Sequence, residues 1–129
     1  ISRIVAEPLP CPQKCEQILK LVLTFAEMNP GISRVLNGDA LAGETARLRS
    51  RVAQIFDRLE SQLKQLLREA ELREGLRTQV TVSSTASVLL AFVEGKISQY
   101  IRTDFRQLPT QGWDEQWAML STGLVRSIY

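Results

Sequence analysis

Leu48, Val52, Ile55, Phe56, Leu59, Leu63, Leu66, Leu67 and Ala70 recur at steps of three and four with Arg, Glu, Lys and Gln between them. That period predicts one amphipathic helix of about 30 residues, ~45 Å long, beginning after Asp39 and closing at Glu74-Gly75. Glu60 and Lys64 have the favoured i, i+4 order on its polar side. Upstream, from Gln13 to Met28, the pattern is different: Cys15, Ile18, Leu19, Leu21, Val22, Leu23, Phe25 and Ala26 cover most of the circumference. A helix apolar on so many sides must be surrounded, so this one is expected at the centre of the fold. Asn29-Pro30-Gly31 reads as a stop followed by a new start, with Asn29 as cap and Pro30 at the first helical position. A short helix carrying Ile32, Val35 and Leu36 follows and closes near Asn37-Gly38.

The segment from Val82 to Phe105 is apolar without a break from residue 88 to 93. One side of a helix cannot bury all of that, which makes a second copy of the chain the economical cover for the other side. Gly95, with Ser87 and Ser98, lets a partner helix approach closely. Beyond Pro109 and Gly112, a last helix carries Trp113, Trp117, Leu120, Leu124 and Ile128 at steps of four, three, four and four. The surface predicted for a homodimer comprises Val88, Phe92, Gly95 and Gln99 on one helix and Trp113, Trp117, Leu120 and Leu124 on the other. No strand is expected; the β-branched cluster Thr78 to Val82 reads as the cap of the following helix. The chain is therefore all-α, with about five helices.

Pro8, Pro10 and Pro12 fall within five positions, so that stretch is an extended connector. Ile1-Ser2-Arg3-Ile4 ahead of it reads as the last turn of a helix whose beginning lies upstream, and the chain as a fragment of something longer. The length of 129 residues and the 44% hydrophobic composition suit one domain. A net charge of +2 does not imply nucleic-acid binding by bulk electrostatics. Histidine is absent and Cys11 and Cys15 are the only cysteines, which leaves no His-based catalysis and no complete zinc site. The two cysteines are expected as unlinked thiols. No metal or cofactor is implied. The apolar stretch Ile18 to Ala26 is broken by Lys20 and Thr24, so no membrane span is expected, and no signal peptide is visible. Glu94 sits within the apolar stretch from Val88 to Ile101 and must reach the rim or be paired. The run Arg47, Arg49, Arg51 reads as solvated surface. Nothing converges as acid, base or nucleophile, so an enzyme is not expected.

Three stretches carry a resemblance: Leu23-Thr24-Phe25-Ala26-Glu27-Met28-Asn29-Pro30-Gly31-Ile32-Ser33-Arg34-Val35-Leu36-Asn37-Gly38-Asp39-Ala40-Leu41, then residues 53–69 from Ala53 to Glu69, and residues 90–105 from Leu90 to Phe105. They resemble the C-terminal domain of SlmA-type nucleoid occlusion factors, a branch of the TetR family, and together span more than half the chain. The resemblance implies a TetR-like C-terminal helical domain that dimerises through a four-helix interface. It also implies an N-terminal helix-turn-helix DNA-binding domain that residues 1–129 do not include. Members of the family bind chromosomal sites and block FtsZ ring assembly over the nucleoid, which implies a cytoplasmic, nucleoid-associated protein of cell division. The FtsZ C-terminal tail docks between the domain's first two long helices. Carried over by match, the partner groove comprises Arg3 and Ile4 with Leu21, Thr24, Met28 and Asn29. Thr24 stands where the family has Gly and Met28 where it has Arg, which narrows the groove and removes a positive charge.

The competing reading is the ligand-sensing domain of a TetR-family repressor that leaves DNA on binding a small apolar inducer. That reading expects a cavity lined by Phe25, Leu48, Val52, Phe92 and Val93.

Overall fold

The computed structural model describes residues 2–6, 9–36 and 45–127. They form helices α1 (Ser2–Ala6), α2 (Cys11–Met28), α3 (Pro30–Leu36), α4 (Thr45–Arg73), α5 (Val82–Arg102) and α6 (Trp113–Thr122), with two short strands, β1 (Leu76–Thr78) and β2 (Val125–Ser127). The expected closure at Asn37-Gly38, and Ile1 and Ile128, lie outside the described residues.

Helix α2 packs against each of the five other helices, and its Cys11, Cys15, Ile18, Leu19, Leu23 and Ala26 are buried. It begins two residues before the expected Gln13, because Pro12 falls in the first turn, where its missing N–H costs nothing. Pro10 precedes it and offers no side-chain cap. The cap comes from elsewhere: Glu74, just past α4, accepts the Cys11 N–H at 2.8 Å. A carboxylate at a helix N-terminus satisfies an orphan donor and meets the positive end of the dipole. At the other end, the Asn29 side-chain amide donates to the Phe25 carbonyl at 2.8 Å, and its own carbonyl accepts the Ser33 N–H at 2.9 Å. Buried Ser33 donates its hydroxyl to the Ala26 carbonyl, so the α2–α3 corner is closed by internal hydrogen bonds.

Helix α4 is 29 residues long and turns Phe56, Leu59, Leu63, Leu66, Leu67 and Ala70 inward, as the period predicts. Glu60 and Lys64 make their ion pair at 3.0 Å. Gly75 follows with φ 65°, a left-handed residue that glycine adopts without strain.

The absence of strands was an incorrect expectation. β1 and β2 pair antiparallel, Leu76 opposite Ser127 and Thr78 opposite Val125, so the last helix stops at Thr122 instead of continuing to Ile128. Gly123 ends α6, and the backbone beyond it finds its hydrogen bonds across the sheet. Thr81 does cap α5, its hydroxyl accepting the Ser84 N–H at 3.1 Å.

α5 ends at Arg102, three residues short of the expected Phe105. Asp104 and Phe105 are left-handed at φ 53° and 63°. The Asp104 N–H bonds to Ile101 O at 3.1 Å and the Phe105 N–H to Tyr100 O at 2.7 Å, which is the Schellman arrangement. The Phe105 ring then meets the Tyr100 ring edge-on at 5.0 Å. Beneath this loop Lys96 is only 5% exposed, its ammonium donating to the Gln111 carbonyl at 3.3 Å. Burial lowers its pKa from the ordinary 10.5.

Two outcomes test this framework. Glu74→Ala should lower stability by about 1 kcal/mol, read as the urea midpoint; an unchanged midpoint would remove the cap from the account. For Lys96, the unfolded chain holds the proton more tightly than the folded one, so the domain gains stability as pH rises toward 10.5. Comparing urea midpoints of the parent and Lys96→Met, the parent should gain on the variant over that alkaline range; parallel pH profiles would contradict it.

Candidate partner-binding surfaces

The residues expected in a partner groove sit on two packed elements. α1 contacts α2, with Arg3 exposed and Ile4 half-buried against the core. On α2, Leu21, Thr24 and Met28 are spaced three and four apart and share one face, Leu21 and Met28 exposed and Thr24 half-buried. The sequence reading left Phe25 out of this set. It is 50% exposed and four residues after Leu21, so Leu21, Phe25 and Met28 form a continuous apolar ledge. The signal was present as an i, i+4, i+7 spacing, hidden because every side of α2 reads as apolar. Asn29 differs from its neighbours: with its amide spent on Phe25 O, it holds the corner that shapes the ledge.

The second surface is the outer side of α5. Leu89, Leu90, Val93 and Ile97 face the core, while Val88 is 54% exposed, Ala91 and Gly95 are exposed and Phe92 and Gln99 are half-buried. A Cβ placed on Gly95 would meet nothing within 4 Å, so the position is open on the protomer. Glu94 is exposed beside it. Leu120 of α6 is half-buried, and Met119, which sequence reading did not single out, is exposed.

Three of the expected interface residues belong elsewhere. Trp113, Trp117 and Leu124 are 3%, 7% and 4% exposed, packed inside the protomer's own core. The two indoles stack at 5.7 Å with Phe92 tilted against the first at 6.0 Å, and the Trp113 N–H donates to Glu16 of α2 at 3.1 Å. An apolar stripe at helical spacing says that something covers it; here the cover is α2 and α5 of the same chain.

The residues expected to line an inducer cavity differ widely in exposure. Val93 is fully buried, Phe25 half-exposed on α2, and Val52 and Phe92 half-buried on α4 and α5; the side chain of Leu48 lies outside the description. Two open surface depressions are found among the described residues, one bordered by Arg102, Asp104, Arg106 and Gln111 and the other by Lys20, Thr110, Trp113, Asp114 and Glu115. Cys11 and Cys15 are buried free thiols with sulfurs 3.9 Å apart. The hydrogen bond shared with Cys11, then burial, pushes the Cys15 thiol well above its ordinary pKa, so it packs as a neutral group. Among the described residues no three His, Cys, Asp or Glu side chains gather around a metal position, and no helix is long and apolar enough to cross a membrane.

Comparison with known proteins identifies the family of the domain. The family model for the SlmA-like form of the tetracyclin repressor-like C-terminal domain matches residues 12–125. The nucleoid occlusion factor SlmA of Shewanella amazonensis is 50% identical over 127 residues, 98% of this chain and 64% of that protein. The SlmA of Marinomonas sp. is 50% identical over 125 residues, 97% of this chain and 64% of that protein. That of Shewanella frigidimarina is 53% identical over 114 residues, 88% of this chain and 58% of that protein. The chain thus spans less than two thirds of the length of these relatives. A helical domain with an unpartnered α5 face and a match over nearly its whole length leads to one assignment: the chain belongs to the SlmA-like family of tetracyclin repressor-like C-terminal domains.

Proposed function

We propose that this chain is the dimerisation and partner-binding domain of a TetR-family, DNA-binding regulator of cell division. It acts without catalysis, in the cytoplasm and at the nucleoid. The match to nucleoid occlusion factors over 98% of the chain is the observation that carries the reading. DNA contact belongs to a helix-turn-helix domain outside residues 1–129. Two copies associate through Val88, Phe92, Gly95 and Gln99 of α5 with Leu120 of α6. The tail of FtsZ docks on the α1–α2 surface, where Leu21, Phe25 and Met28 supply apolar contact, Ile4 and Thr24 border it, Asn29 fixes the corner and Arg3 meets an acidic group. Thr24 and Met28 make this docking apolar in character, with Arg3 as its main charge contact. The inducer-sensing alternative has less support, since of the residues it needs Phe25 is half-exposed on α2 while Val93 is fully buried.

The open position of Gly95 makes a discriminating test possible. The Cβ that Gly95→Leu adds meets no neighbour within 4 Å, and the change should gain ~1 kcal/mol of helix propensity there. It should nevertheless shift sedimentation at micromolar concentration from dimer to monomer; a dimer that persists would place the interface elsewhere. For the groove, Arg3→Asp should weaken binding of an FtsZ tail peptide about tenfold, read by fluorescence anisotropy. Equal affinity in parent and variant would remove Arg3 from the site, and no binding by either would remove the tail-docking role.

A further inference from the structure

The small sheet carries a charge arrangement that neither of these surfaces uses. In the antiparallel register of β1 and β2, Arg77 lies directly opposite Arg126, and both are exposed. Side chains directly opposed in such a pair have Cβ atoms about 5 Å apart, and like charges there oppose the pairing. The register cannot relieve this. Leu76 and Val125 pack against the core from the opposite side of their strands, and a one-residue slip would turn the arginines inward.

The chain answers these charges incompletely. Glu71 reaches Arg77 at 3.7 Å, both side chains about half exposed. Glu74, the next carboxylate along, is committed to the Cys11 N–H. Among the described residues, neither Arg126 nor Arg73, the last residue of α4, has an ion-pair partner. The register therefore holds two exposed arginines directly opposite one another, with the Glu71 carboxylate reaching one of them. A local rule broken on an exposed face, with no gain inside the protomer, points to a ligand outside it.

We propose that this face of the sheet is a docking site for a carboxylate-rich segment of a partner protein, with Arg126 and Arg77 as the receiving pair. The occupant follows from charge complementarity: two adjacent guanidinium forks offer paired donors to carboxylates, and Glu71 on Arg77 already shows that the site accepts one. The site is carried by different elements from the α2 ledge and the α5 face, and it does not depend on the identity of the division partner.

The test is a fluorescence anisotropy titration of the whole chain with a labelled oligoglutamate peptide, at low and high salt, alongside the thermal midpoint of the free protein. Arg126→Gln should weaken the peptide about fivefold, while Arg126→Lys, which keeps the charge and loses the fork, should fall between. Arg126→Gln should also raise the thermal midpoint of the free chain by removing the cross-strand repulsion. That opposition of effects is what a purely structural arginine would not give. Peptide binding that is absent, or equal in parent and variant, overturns the proposal. A labelled DNA duplex that binds more tightly than the peptide with the same dependence on Arg126 overturns it in favour of a phosphate site.

Discussion

The fold depends on the burial of α2 and on the way its polar edges are closed. A helix that turns Cys11, Cys15, Ile18, Leu19, Leu23 and Ala26 out of solvent has apolar surface on too many sides for a single neighbour. The elements around it are then fixed by hydrogen bonds to its rim. Glu16 takes the Trp113 N–H, the Glu27 carboxylate takes the Thr110 hydroxyl at 2.6 Å, and the Glu27 carbonyl takes the Tyr100 hydroxyl at 2.8 Å. Glu74 closes the N-terminus. Each bond satisfies a group at the edge of the core that would be costly to leave unpaired, and each is made by a residue distant in sequence. Apolar burial draws α4, α5 and α6 to α2; these polar contacts decide where along it they sit.

This division explains what could be read in advance. The period of α4 and the near-continuous apolar run of α2 are local properties, and the helices they predict are found to within a few residues. The strands are three residues each, and their pairing joins segments on either side of α5 and α6, so no window of sequence contains the signal. The stop of α5 was missed because Asp104 and Phe105 are not residues that announce a left-handed turn, although the Tyr100–Phe105 ring contact that supports it is local. Three residues of the expected interface lie elsewhere for a more instructive reason. Trp113, Trp117 and Leu124 were correctly seen as an apolar stripe, but periodicity gives the direction of a stripe and says nothing about what covers it. For α5, where the apolar run wraps both sides, the surplus was real: Leu89, Leu90 and Val93 use one side and Val88 with Ala91 is left on the other.

Within α2 the same helix serves two purposes on opposite sides. Its inner positions belong to the core, and Leu21, Phe25 and Met28 are outside it. Substitutions on the ledge therefore change an outer surface with little effect on packing, whereas changes at Leu19 or Leu23 remove core volume. The α2–α3 corner lies between these roles, because Asn29 and Ser33 use their polar atoms to fix backbone that both sides share. Thr24, half-buried, and Met28, exposed, both lie toward the outer side.

The pairing of Thr78 with Val125 has a consequence for how the protein is made. On a ribosome, β1 emerges long before its mate, and everything between them must be translated before the sheet can close. Until then, the turn after α4 lacks its strand partner and the arginine at its centre faces no like charge. The nascent domain can gather α2 and α4 early, but the sheet waits for β2, so a chain cut between α5 and β2 would stay unlatched with its edge strand bare.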